Sequence, residues 1–318
     1  MTIILLDPSS HKVEGITENF GDIIIKYHVE KLLKTISLPN YCWSDYGTNW
    51  SSRDTIVVAG ANVFGEVFSK ASGSVWHPNI VKVLTNKLQR VIPLGVGWWS
   101  YQNGPSVFTK FYYQKLLCHN LMPISVRDSY TLSKFQHMGF NNVYLTGCPS
   151  MYNHVGFNCT IPDIALITLT NYRKDIKRDL VIVNMVFQHF KNIYFFPQGS
   201  TDYDYLAYLC KLAERPLGAV NILDRSFEKL NSFLILHEVM HIGTRLHMGM
   251  HCLFFQRPSL CIEVDSRAIE MKKSFSFLPI VSIFDLPRVL ERKVFNFQPP
   301  QSVRRRLDSF LDYAFRNL

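Results

Sequence analysis

The feature that most constrains the fold of this chain is a repeated alternation of short apolar runs with longer amphipathic stretches. The apolar runs have the length of β-strands, and most are rich in β-branched residues and apolar throughout. This pattern predicts parallel strands covered on both faces by helices, the α/β class. The predicted strands are TIILLD (2–7), TIVVAG (55–60), RVIPLGVG (90–97), PISVRD (123–128), NVYLTG (142–147), IALITLT (164–170), NIYFFPQG (192–199), AVNIL (219–223) and SLCIEV (259–264).

The stretches between these strands have the periodicity of helices. The predicted helices begin after Gly21-Asp22, Pro105 and Ser129 in the first half and occupy 174–190, 201–214 and 226–237 in the second.

The alternation restarts near residue 160, after a segment rich in turn-forming residues. We therefore predict two Rossmann-like domains, residues 1–158 and 159–318, that face each other across a cleft. In such sheets ligands bind beyond the carboxyl ends of the strands, where loops lead into helices.

Composition narrows the function classes. Of the 318 residues, 47% are hydrophobic and 19% charged, as in globular proteins. The first residues lack a signal-peptide pattern, and no apolar run approaches the length of a bilayer span. Seven cysteines without C-x-x-C pairs argue against a disulfide framework. We therefore expect a cytoplasmic protein.

The formal charge of +9 is dispersed along the chain, which argues against a nucleic-acid partner. The one tight basic cluster, Arg304-Arg305-Arg306, opens a predicted C-terminal helix. Its apolar residues Leu307, Phe310, Leu311 and Phe315 share one face. We expect this helix to dock on the protein, with contact to a membrane surface as the alternative.

One stretch, LHEVMHIGTRLHMGMHC (236–252), allows two interpretations. His237-Glu238-x-x-His241 fits the zinc-protease pattern, and His247 follows at near the spacing of a third ligand. Zinc binding requires His237 and His241 on one helical face. The local pattern instead favours a helix ending near His237, a strand VMHIG and a turn at Gly243-Thr244, so we expect no metal site.

A new helix beginning at Arg245 would follow that turn. Its first turn offers unpaired backbone N–H groups to an anion, and Thr244 is a candidate N-cap. Arg245 can bind a carboxylate or phosphate through two parallel hydrogen bonds, and His247 can add a proton or a further donor. The alternative is that Arg245 pairs with an acidic neighbour and His247 packs in the core.

Five segments together resemble the polysaccharide pyruvyl transferase family, in the family's order. They are ENFGDIIIKYHVEKLL (18–33), VVAGANVFGE (57–66), PLGVGWW (93–99), ISVRDSYTLSKFQHMGFNNVYLTGCPSMY (124–152) and IGTRLHMGMHCLFFQRPSLCIEVD (242–265). The resemblance implies a two-domain GT-B-like fold. It also implies transfer of the enolpyruvyl unit of phosphoenolpyruvate to a sugar of a glycan or lipid-linked saccharide. No cofactor is expected.

The resemblance assigns donor binding to Arg127, Arg245, Leu246 and His247. Phosphoenolpyruvate carries a charge near −3, so its site needs at least two convergent cations. Arg127 ends the predicted strand PISVRD and Arg245 follows the predicted strand VMHIG, so both lie at carboxyl ends of strands, which would bring them to one cleft. AGANVFG stands where the family commonly has three glycines.

Other residues have more than one interpretation. His247 is a candidate acid, and Asp22 is either a base for a sugar hydroxyl or the N-cap of its helix. Gly60 and Gly65 suit a backbone that approaches a ligand closely. Further candidates are Gln198, Asp202 and Asp204 for acceptor contact, with Asp202 favoured as a helix cap, and Trp98 and Trp99 for the core or for sugar stacking.

Two other functions fit the same scaffold. A nucleotide-sugar glycosyltransferase would need ribose-binding carboxylates, for which the sequence shows no clear candidate. A catalytically inactive relative would bind a glycan without turning it over.

Overall fold

The structure is a computed structural model that describes residues 3–7, 20–33, 40–42, 54–60, 62–67, 83, 90–117 and 121–315. Within these ranges every predicted strand and helix is present, with ends shifted by a few residues. The predicted α/β class is confirmed by two parallel sheets, one in each half of the chain.

The first sheet has four parallel strands in the order β2-β1-β3-β4. All five residues of β3 are buried, as the continuous apolar run TIVVA predicts. Backbone pairing of Val96 with Val126 joins this sheet to the parallel pair β5-β6. The strands are β1 Ile3–Asp7, β2 Asn40–Cys42, β3 Thr55–Ala59, β4 Arg90–Leu94, β5 Ile124–Val126 and β6 Val143–Leu145.

The second sheet has six parallel strands in the order β10-β9-β8-β11-β12-β13. Its centre is fully buried, since each residue of β11 and β12 is shielded from solvent. The strands are β8 Ile164–Thr168, β9 Asn192–Phe195, β10 Val220–Ile222, β11 Met240–Gly243, β12 Ser259–Ile262 and β13 Ile280–Val281.

Helices follow most strands and cover both sheets. Polar side chains start several of them: Ser106, Asp128, Asp175 and Ser226 each accept a hydrogen bond from a first-turn N–H. The helices are α1 Phe20–Leu32, α2 Val107–Leu116, α3 Ser129–His137, α4 Ile176–His189, α5 Asp202–Leu212, α6 Phe227–Leu236, α7 Leu246–Phe254, α8 Ser266–Ser274, α9 Leu286–Leu290 and α10 Gln301–Phe315.

Two features join the halves. An antiparallel pair, β7 Phe157–Thr160 with β14 Val294–Phe297, holds the segment before the second sheet. The C-terminal helix α10 then returns to the first half, where the Phe310 ring lies 5.8 Å from Tyr144. Leu307 and Phe310 are buried and Arg305 is exposed, which confirms the docked helix. The division at residue 158 stays a prediction.

The carboxyl ends of both sheets open on one cleft, which confirms the predicted GT-B-like arrangement. Asn62 and Trp99 follow β3 and β4 of the first sheet. Asn171, Gln198 and Arg245 follow β8, β9 and β11 of the second. No helix among the described residues combines the length and the apolar character needed to cross a membrane.

Candidate functional site

The turn between β11 and α7 lies at the centre of the site. An added Cβ at Gly243 would lie 2.2 Å from the Thr168 carbonyl oxygen, so only glycine permits this close approach of β8 and β11. The predicted N-cap role of Thr244 is wrong. Its hydroxyl donates to Thr170 Oγ1 at 2.9 Å, and Arg245 occupies the N-cap position of α7 without a side-chain hydrogen bond to the first turn of that helix. The first-turn N–H groups of α7 therefore have no capping side chain, and two residues of this turn, Leu246 and His247, line a pocket.

Arg245 is nearly buried and held by three contacts. Its Nη2 donates to Asp202 Oδ2 at 2.6 Å and its Nε donates to the Leu169 carbonyl at 3.1 Å. The guanidinium carbon lies 5.0 Å from the ring centre of Tyr172. Arg245 thus pairs with an acidic neighbour and also lines the cleft, so the two interpretations of this residue are compatible.

Asp202 does not serve as the N-cap that its sequence position favours. It is the first residue of α5, and Thr201 precedes it as N-cap. Its carboxylate accepts from the backbone N–H groups of Gln198 and Gly199, at 3.1 and 2.8 Å. Asp202 therefore ties the loop after β9 to Arg245.

His247 lies in the first turn of α7, and it is 7% exposed. Its Nε2 has no hydrogen-bond partner, although the atom is buried. Burial, reinforced by the positive charges of Arg267 and Arg127, lowers the pKa of His247 to about 3. The imidazole is thus neutral at pH 7 in the free protein. Leu246 packs beside it at the pocket wall.

Arg267 is a site residue that the sequence reasoning missed. Its Nη2 donates to the Tyr172 hydroxyl at 2.6 Å, across 95 residues of sequence, and its Nε donates to Asp265 Oδ2 at 2.8 Å. Asp265 is the N-cap of α8 and accepts from the N–H groups of Arg267 and Ala268. Although burial opposes ionisation, Arg267 holds the pKa of Asp265 below its usual range. Asp-Ser-Arg directly after the predicted strand SLCIEV was the available signal.

Arg127 is buried behind the cleft wall. It is 1% exposed, and its guanidinium packs against Gly97, where an added Cβ would lie 2.3 Å from Nη2. Nη2 donates to Asn62 Oδ1 at 2.8 Å, Nε donates to Asp128 at 3.1 Å, and Nη1 has no partner. Arg127 does not line the cleft itself but donates a hydrogen bond to Asn62, which does. Arg267 is the guanidinium that lines the cleft together with Arg245.

Two glycines named from the sequence lie away from the cleft lining. Gly60 has φ +62°, and an added Cβ would meet Ile25 Cγ2 at 2.4 Å, so it allows α1 to pack on the sheet. The N–H of Gly65 donates to the hydroxyl of Tyr113, which donates back to the Gly65 carbonyl. Both glycines therefore have structural contacts within the first half of the chain.

Asp22 lies in the first turn of α1, two residues after the helix begins at Phe20, so the N-cap interpretation is wrong. Its neighbour Gly21 lines the same pocket as His247. Gln198 is 3% exposed and lines the cleft, and its side-chain Nε2 has no partner.

The site has two connected compartments. The inner pocket has a volume of about 20 Å³, room for about one water molecule. The residues that line it but not the outer cleft are Gly21, Thr244, Leu246, His247, Val264 and Ala268. The outer cleft has a volume of about 500 Å³. Five residues line both and form the partition: Tyr172, Gln198, Arg245, Asp265 and Arg267.

The adjacent residues Trp98 and Trp99 lie in different environments. Trp98 is 2% exposed in the core of the first half, and its Nε1 donates to Gln102 Oε1 at 2.7 Å. Trp99 is half-buried and lines the outer cleft. Trp98 is thus a core residue, and Trp99 is the one available to a ligand.

The zinc-protease pattern does not form its geometry. His237 is the C-cap of α6, whereas His241 lies in β11. His241 is buried between Thr168 Oγ1 at 2.8 Å and Ser259 Oγ at 2.9 Å. Among the described residues no group of three His, Cys, Asp or Glu side chains could hold a metal ion.

A family model described as "Polysaccharide pyruvyl transferase" matches residues 19–266, most of the chain. A search among curated proteins found no significant match. Among solved structures, KP1_0663 from Klebsiella pneumoniae, described as uncharacterized, is similar at 12% identity and TM-score 0.46, over 86% of this chain and 87% of that one. The Methanocaldococcus jannaschii UDP-GlcNAc 2-epimerase, in complex with UDP-GlcNAc and UDP, is similar at 12% identity and TM-score 0.42, over 92% and 80%. S. aureus MnaA with UDP is similar at 9% identity and TM-score 0.46, over 97% and 83%.

Proposed function

Because this chain belongs to the polysaccharide pyruvyl transferase family, we propose that it transfers the enolpyruvyl group of phosphoenolpyruvate to a sugar of a glycan, forming a pyruvate ketal. The observation that carries the proposal is the convergence of Arg245, Arg267, the start of α7 and the unpartnered Nε2 of His247 on one pocket.

Recognition of the donor follows from charge. Phosphoenolpyruvate brings a carboxylate and a phosphate, which suit guanidinium groups and the N–H groups of a helix start. Arg245 uses Nε and Nη2 within the protein, and its Nη1 bonds to no described residue, so it retains donors for a ligand. The buried charge of Arg127 adds to the positive potential without touching the donor.

The inner pocket must open before a donor can enter, because its volume of about 20 Å³ is far smaller than phosphoenolpyruvate. The contact between Arg267 and the Tyr172 hydroxyl lies between this pocket and the outer cleft. On the proposal, Arg267 leaves Tyr172 and binds the donor, which exchanges one charge-assisted hydrogen bond for others.

Ketal formation needs one proton at the enol carbon and two attacks on the adjacent carbon. The first sugar hydroxyl adds to that carbon as its neighbour becomes a methyl group, and the second displaces phosphate. The two hydroxyls release two protons; one balances the proton gained by carbon and the other leaves with inorganic phosphate. His247 is the group proposed to deliver a proton, and Asp22 is the candidate base for a hydroxyl.

The protonation state of His247 fits this role only with donor bound. In the free protein burial and two arginines keep the imidazole neutral. A donor with charge near −3 beside it favours the imidazolium form, so donor binding and proton uptake are coupled.

The proposal is tested by incubating the protein with phosphoenolpyruvate and a panel of acceptors that contain galactose or N-acetylmannosamine. Mass gain of the acceptor and release of phosphate, in equal amounts, are the expected result. Transfer from a UDP-sugar with no reaction from phosphoenolpyruvate would overturn the proposal in favour of a glycosyltransferase.

A further inference from the structure

The outer cleft combines an aromatic face with neutral hydrogen-bonding groups. Trp99 lies on one side, contributed by the first half of the chain, and Asn171 and Ser200 lie on the other. Sugar rings pack on aromatic faces while amides and hydroxyls bind their hydroxyl groups. The unpartnered Nε2 of Gln198 is a further buried donor at the partition.

The charges that line the outer cleft do not balance. Asp202 is paired with Arg245, and Asp265 is paired with Arg267. Arg173 is a third cation in this lining, and none of the described carboxylates forms an ion pair with it. A second anionic ligand would therefore find Arg173 available while the two carboxylates of the cleft are already neutralised.

Residues close to Arg173 in the chain add to the positive charge at this part of the outer cleft. Arg173 is the last residue of a short 3₁₀ turn after β8, and exposed Lys174 follows it directly. Lys177 is exposed in the first turn of α4 and, like Lys174, has no carboxylate partner within the described part of the chain. The only acidic residue in this run, Asp175, accepts from the Arg178 N–H as the N-cap of α4.

We propose that the outer cleft binds a phosphate-bearing saccharide, with the sugar ring on Trp99 and the phosphate at Arg173. This inference rests on the proposed function, because it makes the outer cleft the acceptor subsite of the same reaction. Arg173 lines the outer cleft and not the inner pocket, so its ligand is distinct from the donor phosphate. The phosphate could belong to a glycosyl phosphate, a nucleotide sugar or a lipid-linked saccharide.

The test measures binding in the absence of donor, so that it does not depend on turnover. Galactose 1-phosphate, UDP-galactose and methyl β-galactoside are each titrated into the full chain by calorimetry, with inorganic phosphate as a fourth probe. We expect galactose 1-phosphate to bind about tenfold more tightly than the methyl glycoside, as a charge-assisted contact predicts. The advantage should shrink as ionic strength rises from about 0.05 to about 0.5 M. UDP-galactose matching or exceeding the 1-phosphate identifies diphosphate-linked sugars as the source.

The variants Arg173→Gln and Trp99→Ala separate the two parts of the subsite. Arg173→Gln should abolish the advantage of the phosphate and leave binding of the methyl glycoside unchanged, whereas Trp99→Ala should weaken both sugars about tenfold. Arg305→Gln, which removes an exposed arginine on α10 that does not line the cleft, is the matched control and should change neither.

Equal affinity for phosphorylated and methyl galactoside, or an advantage that survives Arg173→Gln, would overturn the inference. Inorganic phosphate binding as tightly as galactose 1-phosphate would overturn the part assigned to Trp99. Phosphate release from phosphoenolpyruvate is measured separately, so failure of the pyruvyl-transfer proposal is distinguishable from failure of this one.

Discussion

The inner pocket and the outer cleft differ in how their polar groups are held. In the inner pocket, Arg245 and Arg267 are each fixed by a carboxylate, and His247 is buried without a partner for Nε2. In the outer cleft, amides, hydroxyls and Trp99 surround an open volume of about 500 Å³. The difference indicates that a small, multiply charged ligand suits the first compartment and a larger ligand, with a charged group only at Arg173, suits the second.

Acidification should have the largest effect, through His247 in the inner pocket and four histidines outside it. Burial lowers the pKa of five histidines: His247, His154, His241, His251 and His28. Below pH 6.5 the unfolded chain binds protons that the folded chain refuses, so stability is complete above pH 6.5 and falls as pH drops. Each histidine contributes a slope of about 1.4 kcal/mol per pH unit. The five histidines together should cancel a typical free energy of unfolding of about 5–15 kcal/mol at about pH 5.

Urea denaturation between pH 7 and pH 5 checks this slope. Replacing His251, whose Nδ1 lies 3.2 Å from Nε2 of His28, by glutamine should reduce the slope by about one proton. The exposed His189→Asn variant is the control and should retain the parent slope. A flat stability profile over this range would contradict the lowered pKa values of these five histidines.

His247→Asn should separate chemistry from binding. Loss of a proton donor should lower kcat by about 10²–10⁴-fold. The Kd of phosphoenolpyruvate should change less, because the arginines and the start of α7 remain. Turnover that is equal to the parent from pH 5.5 to 8 would end the role of His247 as an acid.

Arg267→Gln tests whether the missed guanidinium binds the donor. Removing its charge should weaken binding of phosphoenolpyruvate about 10–100-fold, as expected for loss of a charge-assisted hydrogen bond. Tyr172→Phe is the matched control, since it removes the partner hydroxyl while retaining Arg267. It should leave the donor affinity equal to or tighter than that of the parent. Weakening of the donor by Tyr172→Phe alone would show that the Arg267–Tyr172 contact supports the site rather than closing it.

Local patterns were enough to predict most strands and helices and the strand–turn–helix element around Arg245, but not β2, β13, α8 or α9. Continuous β-branched runs report burial on both faces, which a parallel sheet requires. The antiparallel pair β7–β14 was not predicted, because its partners lie more than a hundred residues apart and each is short.

The errors in the site have the same origin. Thr244 and Asp202 are favourable N-cap residues by type, yet tertiary partners, Thr170 and Arg245, take their side chains. Arg127 is buried behind Asn62, a contact between two segments that no local pattern relates. The role of Arg267 depends on Tyr172, which lies on a different strand's loop.

The central claim, that the inner pocket is the donor site, is tested most directly by calorimetric titration of phosphoenolpyruvate into three proteins. They are the parent, Asp202→Asn and the double variant Arg245→Ala/Asp202→Asn, in which no buried carboxylate is left without its cation. The account predicts saturable binding to the parent and to Asp202→Asn, and affinity reduced at least about a hundredfold in the folded double variant. Parent-like affinity in the double variant, or no binding to the parent, would contradict it.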